Sequence, residues 1–225
     1  MGPFLLGIAL VIYNGLVNLW PTFHGGAYVP LNLAAAGIVA IVGGFAFDLS
    51  AAGMGFTDGW GVDLLLGAGI GLALASLVLV MASVPSTRRL VADERMRGVT
   101  GSALAYKMLI RVPLGTALLE ELAFRGVLYG AWLGEGVVFA TAASAAVFGL
   151  WHVTPARDMI RMNRPSASRT AVLTWIAGTI IVTGLAGAGF ALLRDWTGGI
   201  AAPFALHATL NSATSLGAAK ALRTS

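Results

Sequence analysis

Residues 63–84 read DLLLGAGIGLALASLVLVMASV, and after Asp63 none of them is charged. A helix rises about 1.5 Å per residue, so a run of this length crosses the ~30 Å hydrocarbon core of a bilayer. Six more stretches have the same character, roughly 3–20, 30–47, 112–133, 136–153, 170–192 and 199–218. Lipid offers the backbone no hydrogen-bond partners, so a spanning segment must be a helix or part of a closed barrel. Barrel strands would be short and alternating, which these runs are not. The expectation is an all-α, polytopic transmembrane bundle of seven to eight helices, forming one integral membrane domain over residues 1–225.

Composition supports the same class. Hydrophobic residues make up 57% of the 225 and charged residues 11%, against about 25% charged in soluble domains. That balance excludes a disordered chain and a basic nucleic-acid-binding domain. With no cysteine, a disulfide scaffold, a thiolate nucleophile and a Cys-ligated metal are excluded too. Met1 to Leu10 contains no Lys or Arg, so the first apolar run reads as a retained span rather than a secretory leader. Gly67, Gly71 and Ala75, and Gly184 with Ala188, recur at four-residue spacing and read as helix-packing faces.

The basic residues sort by side. Arg88, Arg89, Arg95, Arg97, Lys107 and Arg111 fall in a connection over 85–111, and Arg157, Arg161, Arg164 and Arg169 in one over 154–169. With seven spans threaded, both connections join Lys220 and Arg223 on one face. The positive-inside rule makes that face cytoplasmic, with the C-terminus inside and the N-terminus outside. Leu90, Val91 and Met96 alternate with charges, as an interfacial eighth helix would. His24, in the first connection, reads as a loop residue. The Ala- and Gly-rich composition points to a bacterial plasma membrane.

Three charges resist this sorting. The fourth span contains Leu118-Leu119-Glu120-Glu121-Leu122-Ala123-Phe124-Arg125. Each mid-bilayer charge costs about 2.5–3.5 kcal/mol on insertion scales, against about 0.3–0.6 gained per large apolar residue. These charges must therefore face other helices or a wet cavity. Glu121 and Arg125 lie four apart and share a face, while Glu120 is rotated by about 100° from Glu121 and lacks a built-in partner. An unpartnered carboxylate in a membrane cavity is the kind of group that serves as a general base. Two histidines also lie within spans, in Phe148-Gly149-Leu150-Trp151-His152 and in His207-Ala208-Thr209-Leu210-Asn211. His207 and Asn211 share a helical face. No G-x-S-x-G or H-E-x-x-H motif occurs.

Together, Glu120-Glu121-x-x-x-Arg125, Phe148-x-x-x-His152 and His207-x-x-x-Asn211 resemble the CAAX-protease and bacteriocin-processing family, which includes the type II CAAX prenyl endopeptidases and abortive-infection-like proteins. The resemblance covers roughly 112–215. It implies an intramembrane endopeptidase acting on a membrane-associated or prenylated, CAAX-like peptide. Glu120 would activate a water with help from His152, and His207 with Asn211 would stabilise the oxyanion. Glu121, Arg125 and Phe148 would support the site. A metal-dependent variant is also compatible, with Glu120, His152 and His207 binding a divalent ion such as zinc and Glu121 as base. The commitment of Glu121 to Arg125 favours the metal-free route. The alternative is a non-catalytic scaffold or an immunity or regulatory protein of the same fold. A proton-coupled carrier using Glu120 fits less well, because the chain shows no repeated halves.

Overall fold

The computed structural model describes residues 1–20 and 25–223. His24 lies outside them. Among the described residues the regular structure is helical throughout, with no strand. The principal helices are α1 (Gly2–Leu19), α2 (Tyr28–Ala46), α3 (Trp60–Ser83), α4 (Gly101–Glu135), α5 (Val137–Trp151), α6 (Val153–Asn163), α7 (Arg169–Thr197) and α8 (Ala201–Arg223). Six stretches are long and apolar enough to cross a membrane: α1, α2, α3, α4, the α5–α6 run and α7. The chain is an integral membrane protein.

The stretch expected as a seventh span is helical, as α8, but it is not among those six, and Asn211, Ser212, Thr214, Ser215 and Lys220 make it more polar than they are. Its apolar part packs along α3 through the small residues foreseen there. A Cβ placed on Gly67 would lie 2.0 Å from the Ala202 carbonyl oxygen, and one on Gly71 would lie 2.8 Å from Thr209. Gly69 faces open space. Gly67→Val is therefore expected to cost at least about 3 kcal/mol, the upper end of overpacking, because the obstacle is backbone and cannot rotate away. Gly69→Val should change stability little. Thermal unfolding of both variants in detergent checks the contrast.

Large side chains such as Leu65, Leu72 and Leu77 on α3 and Ile181 and Leu185 on α7 point outward, as lipid-facing residues must. The centre of the bundle is α4, where every residue from Leu119 to Tyr129 is buried.

Two expected boundaries move. α4 starts at Gly101 rather than near 112, and the run expected to end near 153 continues as α6 to Asn163. Much of both basic connections is thus helical. The basic connections expected to bound the spans do not end the helices, although a proline lies near each expected limit, Pro113 and Pro155. In this bundle other helices replace the missing donors. α4 is π-helical over Lys107–Arg111 and Pro113–Ala117. In that i→i+5 pattern Pro113 would have donated to Met108, whose carbonyl instead accepts from the Ser212 hydroxyl of α8 at 2.7 Å. Pro155 likewise has no N–H for the Trp151 carbonyl four residues back, and Asn14 of α1 donates to it at 2.6 Å.

The segment between α3 and α4 is not one interfacial helix. It forms a single helical turn at Arg88–Val91 and a tight turn at Glu94–Met96. Met96 is buried against Ala218 and Ala219 of α8. Asp93 is held by Arg95 and by Asn163 at the end of α6. Burial alone would raise the Asp93 carboxyl, but hydrogen bonds and charge from Arg95 outweigh it and hold the group below its ordinary value.

Candidate active site

The site is built where α4, α5, α7 and α8 meet. α4 is α-helical over Leu118–Glu120 and becomes π-helical again over Glu121–Leu128. Glu120 and Glu121 stand on either side of that joint, and both carboxylates reach the same imidazole of α8. His207 Nδ1 lies 2.6 Å from Glu121 Oε1, and His207 Nε2 lies 3.8 Å from Glu120 Oε2. A carboxylate only accepts, so Nδ1 carries a proton and donates to Glu121, while Nε2 is turned toward Glu120.

Each carboxylate has a second partner. Glu121 Oε1 also accepts from Arg125 at 3.3 Å, the pair expected from their spacing. Arg125 is 1% exposed. It donates to the Gly187 carbonyl of α7 at 3.3 Å and lies 4.1 Å above the Phe148 ring. This close approach of α7 depends on Gly187, where a Cβ would come within 2.8 Å of Phe148 and 3.3 Å of Arg125. Glu120 Oε1 accepts from the Trp151 indole N–H at 3.1 Å. Glu120 Oε2 is buried and has no hydrogen-bond partner among the described residues. One oxygen of Glu120 is thus fixed, and the other is left on the side of His207.

Phe148 links the two histidines. Its ring centroid is 4.7 Å from that of His152 and 6.2 Å from that of His207, both edge-on. Phe190 of α7 stacks on His207 at 5.3 Å. His152 sits at the α5–α6 joint, and its Nδ1 donates to the Phe148 carbonyl at 2.8 Å. That bond leaves Nε2 as the unprotonated nitrogen of the neutral ring. No hydrogen bond or ion pair joins His152 to Glu120 or His207. Asn211 lies one turn beyond His207 on α8, and no hydrogen bond from its side chain occurs among the described residues.

Glu120, Glu121, Arg125, Phe148 and His207 are therefore brought into one buried cluster, with His152 and Asn211 at its margin. Among the described residues no three His, Asp or Glu side chains are grouped so as to hold a metal ion. Glu120 and His207 come near one another, but His152 does not complete a ligand set with them. The link between Glu121 and His207 was not foreseen, nor were Trp151, Phe190 and Asn14. An asparagine inside an apolar run was a readable signal for Asn14. Trp151 and Phe190 look like ordinary core residues in a sequence.

No curated protein and no solved structure matches the chain. Residues 102–213, about half of the chain and all of the site helices from α4 to α8 up to just past Asn211, match the family model described as type II CAAX prenyl endopeptidase Rce1-like. The protein belongs to that family of CAAX-type intramembrane proteases.

Proposed function

We propose that the protein is an intramembrane endopeptidase whose general base is Glu120. The observation that carries this reading is the asymmetry of that carboxylate: Oε1 is engaged by Trp151 while buried Oε2 has no partner and faces His207. In the proposed reaction Glu120 Oε2 takes a proton from a water, assisted by His152, and the water oxygen attacks the scissile carbonyl. His207, with an N–H at Nε2 as well as at Nδ1, and the Asn211 amide N–H donate to the resulting oxyanion. Glu121, anchored by Arg125, orients His207 through Nδ1, and Phe148 packs between the two histidines. The proton on Glu120 then passes to the leaving amine. A divalent metal route through Glu120, His152 and His207 is the second reading. The missing ligand grouping and the engagement of Glu121 by both Arg125 and His207 favour the metal-free one.

The substrate class is a membrane-associated peptide of prenylated, CAAX-like type. The chain forms one membrane unit in a bacterial plasma membrane, with its N-terminus outside and its C-terminus in the cytoplasm. The length of α8 supports that threading, since 23 residues extend about 34 Å and suffice for a seventh crossing.

The test is hydrolysis of a farnesylated CAAX peptide by the full chain in liposomes. His152→Ala is expected to abolish cleavage while unfolding near the wild-type temperature, and His207→Ala to abolish it with a loss of about 1–3 kcal/mol, because Glu121 loses a buried donor. A scaffold role predicts the reverse, with marked destabilisation and no cleavage by wild type. Activity that is lost with a chelator and restored by zinc would select the metal route.

A further inference from the structure

Away from the site, Arg161, Arg164 and Arg169 line a recess of about 360 Å³ at the turn between α6 and α7. Through Arg164 it joins an apolar groove of about 810 Å³ that runs between the two helices, with Ile160 on one side and Trp175, Gly178 and Val182 on the other. The groove follows α7 from Thr170 to Thr183, about 20 Å of helix, which is enough to hold a chain through the roughly 15 Å depth of one hydrocarbon leaflet. None of the three arginines forms an ion pair among the described residues, and Asp158 on the same face of the chain forms none either. Three uncompensated guanidinium groups thus sit at one end of an apolar channel set in the outer wall of a membrane protein.

That combination matches an amphiphile with an anionic head. A guanidinium pairs with phosphate oxygens through parallel N–H donors, and basic residues at the membrane surface favour anionic lipids. We propose that an anionic phospholipid occupies this site, with its phosphodiester on Arg161, Arg164 and Arg169 and an acyl chain along Trp175, Gly178 and Val182. A zwitterionic lipid offers the same phosphate with a compensating ammonium and binds more weakly. An acidic peptide would satisfy the arginine recess without using the groove. The site is independent of the catalytic reading.

The full chain, reconstituted with equal amounts of phosphatidylglycerol and phosphatidylcholine, is extracted and its retained lipids are counted by native mass spectrometry. Wild type is expected to retain phosphatidylglycerol preferentially. Each arginine near an anionic headgroup contributes roughly fivefold, so R161Q/R164Q/R169Q should lower the preference at least about tenfold after screening by salt. Gly178→Leu keeps all three arginines and places its side chain in open groove, since a Cβ there meets nothing within 4 Å. It should also lose the retained lipid. Both variants are expected to unfold like wild type in phosphatidylcholine alone, so that lost retention is not lost fold. Equal retention of the two lipids by wild type, or unchanged retention in either variant, overturns the proposal. So does displacement of the lipid by glycerol phosphate or by an acidic peptide at matched concentration, which would assign the recess to a head group or a protein partner alone.

Discussion

Glu120→Gln is expected to lower kcat for peptide hydrolysis by about 10²–10⁴-fold, the contribution of a positioned general base. The substitution is nearly isosteric. The glutamine carbonyl can still accept from Trp151 Nε1, as Oε1 does at 3.1 Å, so the packing around α4 and α5 is retained. What disappears is the basic oxygen facing His207. Because that oxygen acts on the attacking water rather than on substrate binding, KM should stay close to wild type. Trp151→Phe gives a graded version of the same test. It keeps the edge-on contact with Phe124 at 5.5 Å but removes the N–H that holds Oε1. A hydrogen bond to a charged group contributes about 1.5–3 kcal/mol, so kcat should fall about tenfold or more, again with little change in KM. Retention of more than a tenth of wild-type kcat by Glu120→Gln would remove Glu120 from the role of base.

Arg125→Met should lower the unfolding free energy by about 3–5 kcal/mol, the usual result of removing one partner from a buried ion pair. Arg125 and Glu121 are both almost completely buried, and water cannot take over the charge left behind. The arginine also bridges helices, contacting Glu121 on its own helix, Gly187 on α7 and the face of Phe148 on α5. Lysine would restore the charge but not the planar contact with the ring, so Arg125→Lys should recover only part of the loss. Glu121→Gln combined with Arg125→Met should cost less than the sum of the single changes, because the uncompensated carboxylate is gone. Denaturant titration in mixed micelles measures wild type, the three single variants and the double variant. Wild-type stability in Arg125→Met would mean that the pair contributes nothing to holding the bundle.

The residues of the cluster were readable one helix at a time. Glu120, Glu121 and Arg125 stand out because charge is costly in a lipid-length helix, and the four-residue spacing correctly paired Glu121 with Arg125. The backbone dihedrals at both glutamates are α-helical, and an imidazole from α8 nevertheless lies within reach of both carboxylates. Nothing in the residue pattern of α4 alone signals that contact. Pro113 and Pro155 lie inside helices longer than the expected spans, and that too rests on contacts between helices. A single helix cannot replace a missing backbone donor, and Ser212 and Asn14 supply the substitutes from helices distant in the chain.

The sequence by itself determined the class of fold, the approximate spans and the small set of polar residues admitted to the bilayer. Those properties follow from transfer energies and helical pitch, which act residue by residue. Only the tertiary structure decided that one imidazole stands between both carboxylates, that an indole from α5 fixes one oxygen of Glu120, and that Phe148 joins the two histidines. Each of those contacts links different helices. They depend on how the helices cross, which is not encoded in the periodicity of any one span.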